Sequence, residues 1–209
     1  MSWPALVEPE VHLWVIPLEA APDGAHSLLA PVERERAERF RFPEDRRRWI
    51  AARAALRVLL GRYLGADPRA IHLEVTPDGN TIVEALHFNL SHSHDLALIA
   101  IAVHTPVGVD VELLRPIPDA PLLARRLLPP EEADMVEMQP EQFLRIWTRR
   151  EAWLKAEGIG LRGIKRSRPA HWRVLDLDPW PGYVGALACR AEPAVSIRRF
   201  VADHRVWLA

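Results

Sequence analysis

Asp110 and Glu112 stand two residues apart in the segment GVDVE (Gly108 to Glu112), and Glu151 follows within WTRREAWLK (Trp147 to Lys155). On a strand, residues two apart share a face, so the first two carboxylates point the same way. Like charges that close hold a proton unless a cation joins them. On a helix, Phe143, Trp147, Leu154 and Gly158 mark one stripe, and Glu151 falls inside it. A carboxylate on an apolar face is costly to bury unless it is paired or ligated. Two acids from a strand and one from a helix would suit an all-oxygen Mg²⁺ site completed by waters and substrate phosphate. Taken singly, the D-x-E pair reads as a solvated strand face, and Glu151 as the partner of a nearby arginine. The conjunction is what points to a metal.

Lys155 lies one helical turn beyond Glu151 on nearly the same face. Of the 27 basic residues, only Lys155 and Lys165 are lysines. In such an arginine-rich chain a retained lysine points to a site that wants a compact ammonium, as at a phosphate oxygen. The segment FNLSHSH (Phe88 to His94) ends a strand with hydroxyls and imidazoles, groups that bind phosphate oxygens or shuttle protons. Between residues 34 and 57 there are nine arginines. Most read as solvated helix surface beside Glu33, Glu35 and Glu38, with one or two free to clamp a phosphate. Walker, HExxH, CxxC and GxSxG patterns are missing from the sequence, which leaves the phosphate-loop, zinc-protease and hydrolase routes without support.

The elements that must carry these residues can be read from periodicity and turn chemistry. Val11 to Ile16 reads as a strand and Pro31 to Arg39 as a charged helix. A second helix opens at Pro43, runs to about Leu64 and closes at Gly65. Ile71, Leu73 and Val75 alternate as a strand before the turn TPDGN. His87 to Ser91 and Leu96 to Val103 follow as strands, the latter apolar on both faces. In Val107 to Glu112, three valines face one way and Gly108, Asp110 and Glu112 the other. Helical pattern resumes at Asp119, breaks at Pro129-Pro130, and returns from Pro140 to Glu157 with Gly158 past its end. Strands at His171 to Leu177, Tyr183 to Cys189 and Val195 to Val201 complete the chain. Each half holds helices and a small sheet, so the expected fold is α+β, a duplicated unit with lobes at 1–105 and 106–209.

Bulk properties narrow the function classes. The 209 residues suffice for one compact core or two small lobes, and a net charge of -1 offers no nucleic-acid or membrane surface. The single cysteine, Cys189, allows no internal disulfide and reads as a small core residue. The opening residues lack a secretory pattern, and the longest apolar run is too short to span a bilayer. A cytoplasmic protein is expected.

Taken in order, FNLSHS (Phe88 to Ser93), GVDVE, RLLPPEE (Arg126 to Glu132) and WTRREAWLKAEGIGL (Trp147 to Leu161) resemble the motifs of the 4'-phosphopantetheinyl transferases. The similarity is to the larger, surfactin-synthetase-activating type, whose pseudo-twofold fold has its active site between two lobes. The resemblance implies transfer of the phosphopantetheine arm of coenzyme A to a serine of an apo acyl or peptidyl carrier protein, releasing adenosine 3',5'-bisphosphate. By position it implies Asp110, Glu112 and Glu151 as Mg²⁺ ligands, Glu151 also as the base for the serine, and Lys155 and His92 on the pyrophosphate. Ser91 would touch the coenzyme, and Arg48 and Arg36 its 3'-phosphate. The resemblance also implies a monomer. Arg150 replaces a usual lysine, Asn80 follows Gly79 where a Gly-Lys-Pro turn is usual, and Glu33 stands where a basic residue is common. Rival readings are a carrier-protein-binding homologue without turnover and a Mg²⁺-dependent phosphoesterase; the latter leaves FNLSHS and the GIGL ending unexplained.

Overall fold

A computed structural model of the chain describes residues 4–75, 81–83 and 86–202. In chain order the elements are β1 (Glu10–Pro17), α1 (Pro31–Glu38), α2 (Pro43–Leu64), β2 (Glu74–Val75), β3 (Thr81–Val83), β4 (Leu86–Ser93) and β5 (Leu96–Val103). Then come β6 (Gly108–Leu113), α3 (Ala120–Leu127), α4 (Pro130–Met138), α5 (Phe143–Glu157), β7 (Trp172–Leu177), β8 (Tyr183–Arg190) and β9 (Ser196–Val201). The fold is α+β. One sheet has the order β2-β3-β4-β5-β1-β9 and the other β6-β8-β7. Neighbouring strands are antiparallel except β1 and β9.

Topology makes the repeat visible. A strand, a long helix and a hairpin recur as β1, α2, β4, β5 and as β6, α5, β7, β8. In both copies the leading strand pairs with the second strand of the hairpin, giving β4-β5-β1 and β7-β8-β6. The link between copies runs through residues 104–107. β9 lies outside the repeat: it follows the second copy in the chain but pairs with β1 of the first, Val11 opposite Ile197 and Trp14 opposite Phe200.

Alternation along β5 explains how the layers stack. Leu96, Leu98 and Ala100 join Val109, Val111 and Leu187 in one cluster between the sheets, while Ala97, Ile99 and Ile101 pack with Ala55, Leu56 and Leu59 of α2. A strand covered on both faces must be apolar on both, at roughly 1.5–3 kcal/mol for each large side chain buried. On the far side of the small sheet, Ala152, Trp153 and Ala156 of α5 meet Ala186 and Ala188 of β8.

The helices begin and end where local chemistry dictates. Pro43 opens α2 beside Glu44 and Asp45, and Gly65 closes it in the left-handed region (φ 65°). α5 starts at Phe143 because Pro140–Gln142 forms a 3-10 turn, and it stops at Gly158 (φ 77°). The alternation at 71–75 shortens to Glu74–Val75. Ile71 directly follows the 3-10 turn Pro68–Ala70, and its carbonyl accepts from Arg57 instead of a strand (3.1 Å). The turn expected at TPDGN, and with it Asn80, lies outside the described residues.

Two buried polar knots tie the first half together. Glu33 of α1 accepts from the Ala30 N–H (2.8 Å), from Arg53 and from Arg57 (2.5 Å). Burial alone would raise its pKa, but the guanidiniums of Arg57 and Arg53 hold it below the usual range. Second, Trp14 Nε1 donates to the Tyr63 hydroxyl (2.9 Å), and that hydroxyl lies 2.6 Å from His12 Nδ1. The phenol therefore donates to Nδ1, which leaves the proton of a neutral His12 on Nε2, facing Glu10 at 2.9 Å. Burial keeps this imidazole below its ordinary pKa. Among the described residues no helix is long and apolar enough to cross a membrane.

Candidate active site

Gly108 sets how closely α5 approaches β6. A methyl group there would lie 2.0 Å from the Ala152 carbonyl oxygen and 2.5 Å from the Ala156 nitrogen, so only glycine admits the helix backbone at this point. Glu151 and Lys155, on the adjoining turns of α5, are thereby lowered onto the face of β6 that carries Asp110 and Glu112.

Asp110 is 5% exposed. Its Oδ1 accepts from Lys155 Nζ at 2.6 Å and from Ser91 Oγ at 2.7 Å. Lys155 also reaches Ser91 Oγ at 3.2 Å. Glu112 accepts from Ser93 Oγ at 3.0 Å, with Arg115 3.8 Å away. Partial burial and then the Asp110 charge raise Glu112 above the usual carboxylate pKa, against the pull of Ser93. Glu151 is raised as well, by burial first and by Asp110 and Glu112, with Lys155 opposing. Lys155, with its apolar stem along α5 and its ammonium on Asp110, thus neutralises one of three crowded acids.

Among the described residues, no three His, Cys, Asp or Glu side chains are gathered closely enough to hold a metal ion as they stand. The donor chemistry nevertheless fits one. Asp110 Oδ2 and Glu151 Oε1 are both buried and both lack a hydrogen-bond partner. Unpartnered buried carboxylate oxygens are costly, and a hard dication is the ligand they suit.

The remaining expected residues fall at different distances from this centre. His92 adjoins Ser91 on β4, with its ring reaching solvent. Crowding by the protein and then the Lys155 ammonium hold its pKa below the ordinary value. Arg48 is engaged within the protein: it grips both oxygens of Asp95 (2.9 and 3.2 Å) and lies 3.6 Å from Asp45. Asp95 belongs to the tight turn joining β4 to β5, where His94 is left-handed (φ 49°), so this pair braces the end of the strand bearing His92. Arg36 is on α1, stacked over Trp49 (5.6 Å) in a groove with Val32, Glu35, Arg39 and Phe40. That groove shares no lining residue with the carboxylate cluster.

Arg150 and Glu132 define a structural clamp that the sequence did not disclose. Arg150 is 5% exposed and grips Glu132 of α4 with two nitrogens, Nε at 2.7 Å. Its Nη1 donates to the carbonyls of Ile164 (2.9 Å) and Arg166 (2.8 Å). A guanidinium supplies this fan of donors; an ammonium would not. Arg150 is therefore matched to its pocket by geometry as well as by charge. Sequence reasoning also named neither Asn89 nor Ser93 as a site residue, and gave Ser93 only the general phosphate-binding reading of its segment. The signal was present: Asn89, Ser91 and Ser93 are polar at period two and so share one face of the strand.

A paired strand–helix–hairpin fold with acids and a lysine where the copies meet belongs to a class that matches to protein families make definite. Residues 106–206 match the 4'-phosphopantetheinyl transferase superfamily, and residues 14–104 match the 4'-phosphopantetheinyl transferase N-terminal family. Among curated proteins, the chain is 37% identical to the 4'-phosphopantetheinyl transferase HetI of Nostoc, covering 88% of this chain and 89% of that protein. It is 28% identical to the 4'-phosphopantetheinyl transferase Sfp of Bacillus subtilis (65% and 62% covered) and 36% identical to AcpT of Salmonella typhimurium (53% and 58%). The chain belongs to the 4'-phosphopantetheinyl transferase superfamily, and its activity is that of a transferase of this kind.

Proposed function

We propose that the protein moves the 4'-phosphopantetheine arm of coenzyme A onto a serine of an apo acyl or peptidyl carrier protein, using Mg²⁺ held by Asp110, Glu112 and Glu151. The observation that carries this reading is the pair of buried, unpartnered oxygens on Asp110 and Glu151, in a group of three acids of which Lys155 neutralises one. Bound Mg²⁺ would supply charge neutralisation at the pyrophosphate. Glu151, raised above the usual carboxylate range, is suited to take the proton of the attacking serine hydroxyl. The serine oxygen bonds to the phosphorus bearing the pantetheine arm, and the bond from that phosphorus to the bridging oxygen breaks. Adenosine 3',5'-bisphosphate leaves with its electron pair. Lys155 would shift from Asp110 to a phosphate oxygen, and His92 would hold a second. Ser91 would contact the coenzyme, Arg48 and Arg36 its 3'-phosphate. We place the reaction in the cytoplasm, carried out by a monomer with lobes at 1–105 and 106–209.

The test is mass spectrometry of apo carrier proteins after incubation with the enzyme, coenzyme A and Mg²⁺. Gain of one phosphopantetheine arm is expected, and it should vanish in Asp110→Ala and Glu151→Ala variants that keep the native circular-dichroism spectrum. Unchanged transfer by either variant would remove the three-carboxylate site. No gain on fatty-acid, polyketide or peptide-synthetase carriers would remove the transfer reading altogether.

A further inference from the structure

β1 and β6 lead the two copies of the repeat, and in each copy the hairpin covers only one edge of the leading strand. The other edge of β1 is taken by β9. The other edge of β6 is met by side chains instead. Asn89 Oδ1 accepts the Val109 N–H at 3.0 Å, and Ser93 Oγ accepts the Leu113 N–H at 3.2 Å. Backbone donors at a covered strand edge need partners, and here β4 supplies them without pairing as a strand.

The spacing is what makes this more than two isolated bonds. Asn89 and Ser93 are four residues apart on β4, and Val109 and Leu113 are four apart on β6. With both strands rising about 3.3 Å per residue, the two contacts stay commensurate over about 13 Å. Between them Ser91 Oγ meets Asp110, and Ser93 Oγ itself reaches Glu112. One polar face of β4 therefore reads along both the backbone and the carboxylates of β6.

We infer that Asn89 and Ser93 are positioning residues for the transfer reaction: together they set the register of β6 against β4, which fixes Asp110 opposite Ser91 and Glu112 opposite Ser93. The inference rests on the functional reading above. A slip of two residues would preserve which side chains face α5 yet carry the carboxylates about 6.6 Å along the strand. Far smaller errors matter, since misplacing a reacting group by about 1 Å costs on the order of 10²-fold in rate. β8 cannot prevent such a slip, because it lies in the same sheet as β6 and would move with it.

Two measurements decide the matter. Steady-state kinetics of the Asn89→Ala/Ser93→Ala double variant should show kcat lowered by about 10²-fold, with KM for coenzyme A moved by no more than about threefold. Ser93→Thr, which keeps the hydroxyl, should recover most of the rate lost in Ser93→Ala. A folded double variant with the kcat of the unaltered protein would overturn the inference. Amide hydrogen exchange followed by NMR is independent of activity. Val109 and Leu113 should be protected in the unaltered protein, and Asn89→Ala should speed exchange at Val109 by at least about tenfold while the amides paired to β8 stay protected. Free exchange at Val109 and Leu113 in the unaltered protein would equally overturn it. Absence of transfer by the unaltered protein would instead refute the functional reading, and the exchange data would still decide whether the two side chains hold β6.

Discussion

Replacing Arg150 with lysine should lower stability although the charge is kept. Arg150 spends its donors on both oxygens of Glu132 and on the carbonyls of Ile164 and Arg166. A lysine ammonium can hold one carboxylate oxygen but cannot fork to Glu132 and reach two carbonyls from the same stem. At about 1–3 kcal/mol for each part-buried acceptor left unpaired, and with some relief from solvent at Glu132, the loss comes to about 2–3 kcal/mol. For a chain of this size that lowers the melting temperature by roughly 5–10 °C. Thermal unfolding followed by far-ultraviolet circular dichroism measures it. The Glu132→Ala background supplies the control, because there Arg150→Lys should cost less than in the unaltered protein. A melting temperature unchanged by Arg150→Lys would refute the claim that the guanidinium geometry matters. So would equal costs in the two backgrounds.

Other consequences can be checked alongside. Gly108→Ala drives a methyl into the Ala152 carbonyl and should push α5 off β6, costing at least about 2 kcal/mol in urea unfolding and most of the transfer rate. The raised pKa values of Glu112 and Glu151 contribute stability that is present below the ordinary value of 4.5 and lost as pH rises through the raised values. Metal-free Glu151→Gln should therefore unfold at a higher temperature than unaltered protein at neutral pH and at the same temperature near pH 4. Added Mg²⁺ should raise the melting temperature of the unaltered protein well above its effect on Glu151→Gln; equal responses would argue against Glu151 as a ligand. If Arg48 leaves Asp95 to hold the 3'-phosphate, Arg48→Ala should raise KM for coenzyme A by about tenfold or more with little change in kcat. An unchanged KM would leave Arg48 as a brace for the β4–β5 turn alone.

Periodicity carried the strands and helices well where one rule governs one element. β5 announced itself by being apolar on both faces, and the valines of β6 by strict alternation, because sheet layering imposes those patterns directly. α5 and its end at Gly158 were legible from stripe and cap. Long-range pairing was less so. Nothing in Ser196–Val201 announces that β9 crosses back to lie parallel to β1, since an edge strand chooses its neighbour through tertiary packing such as Phe200 on Trp14 (4.6 Å). The site shows the same division. Strand spacing placed Asp110 with Glu112, and helix spacing placed Glu151 with Lys155, as two local pairs. The partners that complete or restrain them (Ser91 on Asp110, Asp95 on Arg48, Glu132 on Arg150) depend on distances across the fold that no local pattern encodes.

The chain crosses between the two sheets twice, through residues 104–107 and again through residues 191–195 on the way to β9. One crossing would leave the halves free to swing about a single pivot. Two crossings, with an apolar seam from Val11 to Leu187 between the sheets, resist both swinging and twisting. Such a double tie favours access to the carboxylates by side-chain movement, such as Lys155 leaving Asp110, over a swing of the halves. On the proposed function, selectivity among carrier proteins would then rest on surface fit more than on induced closure.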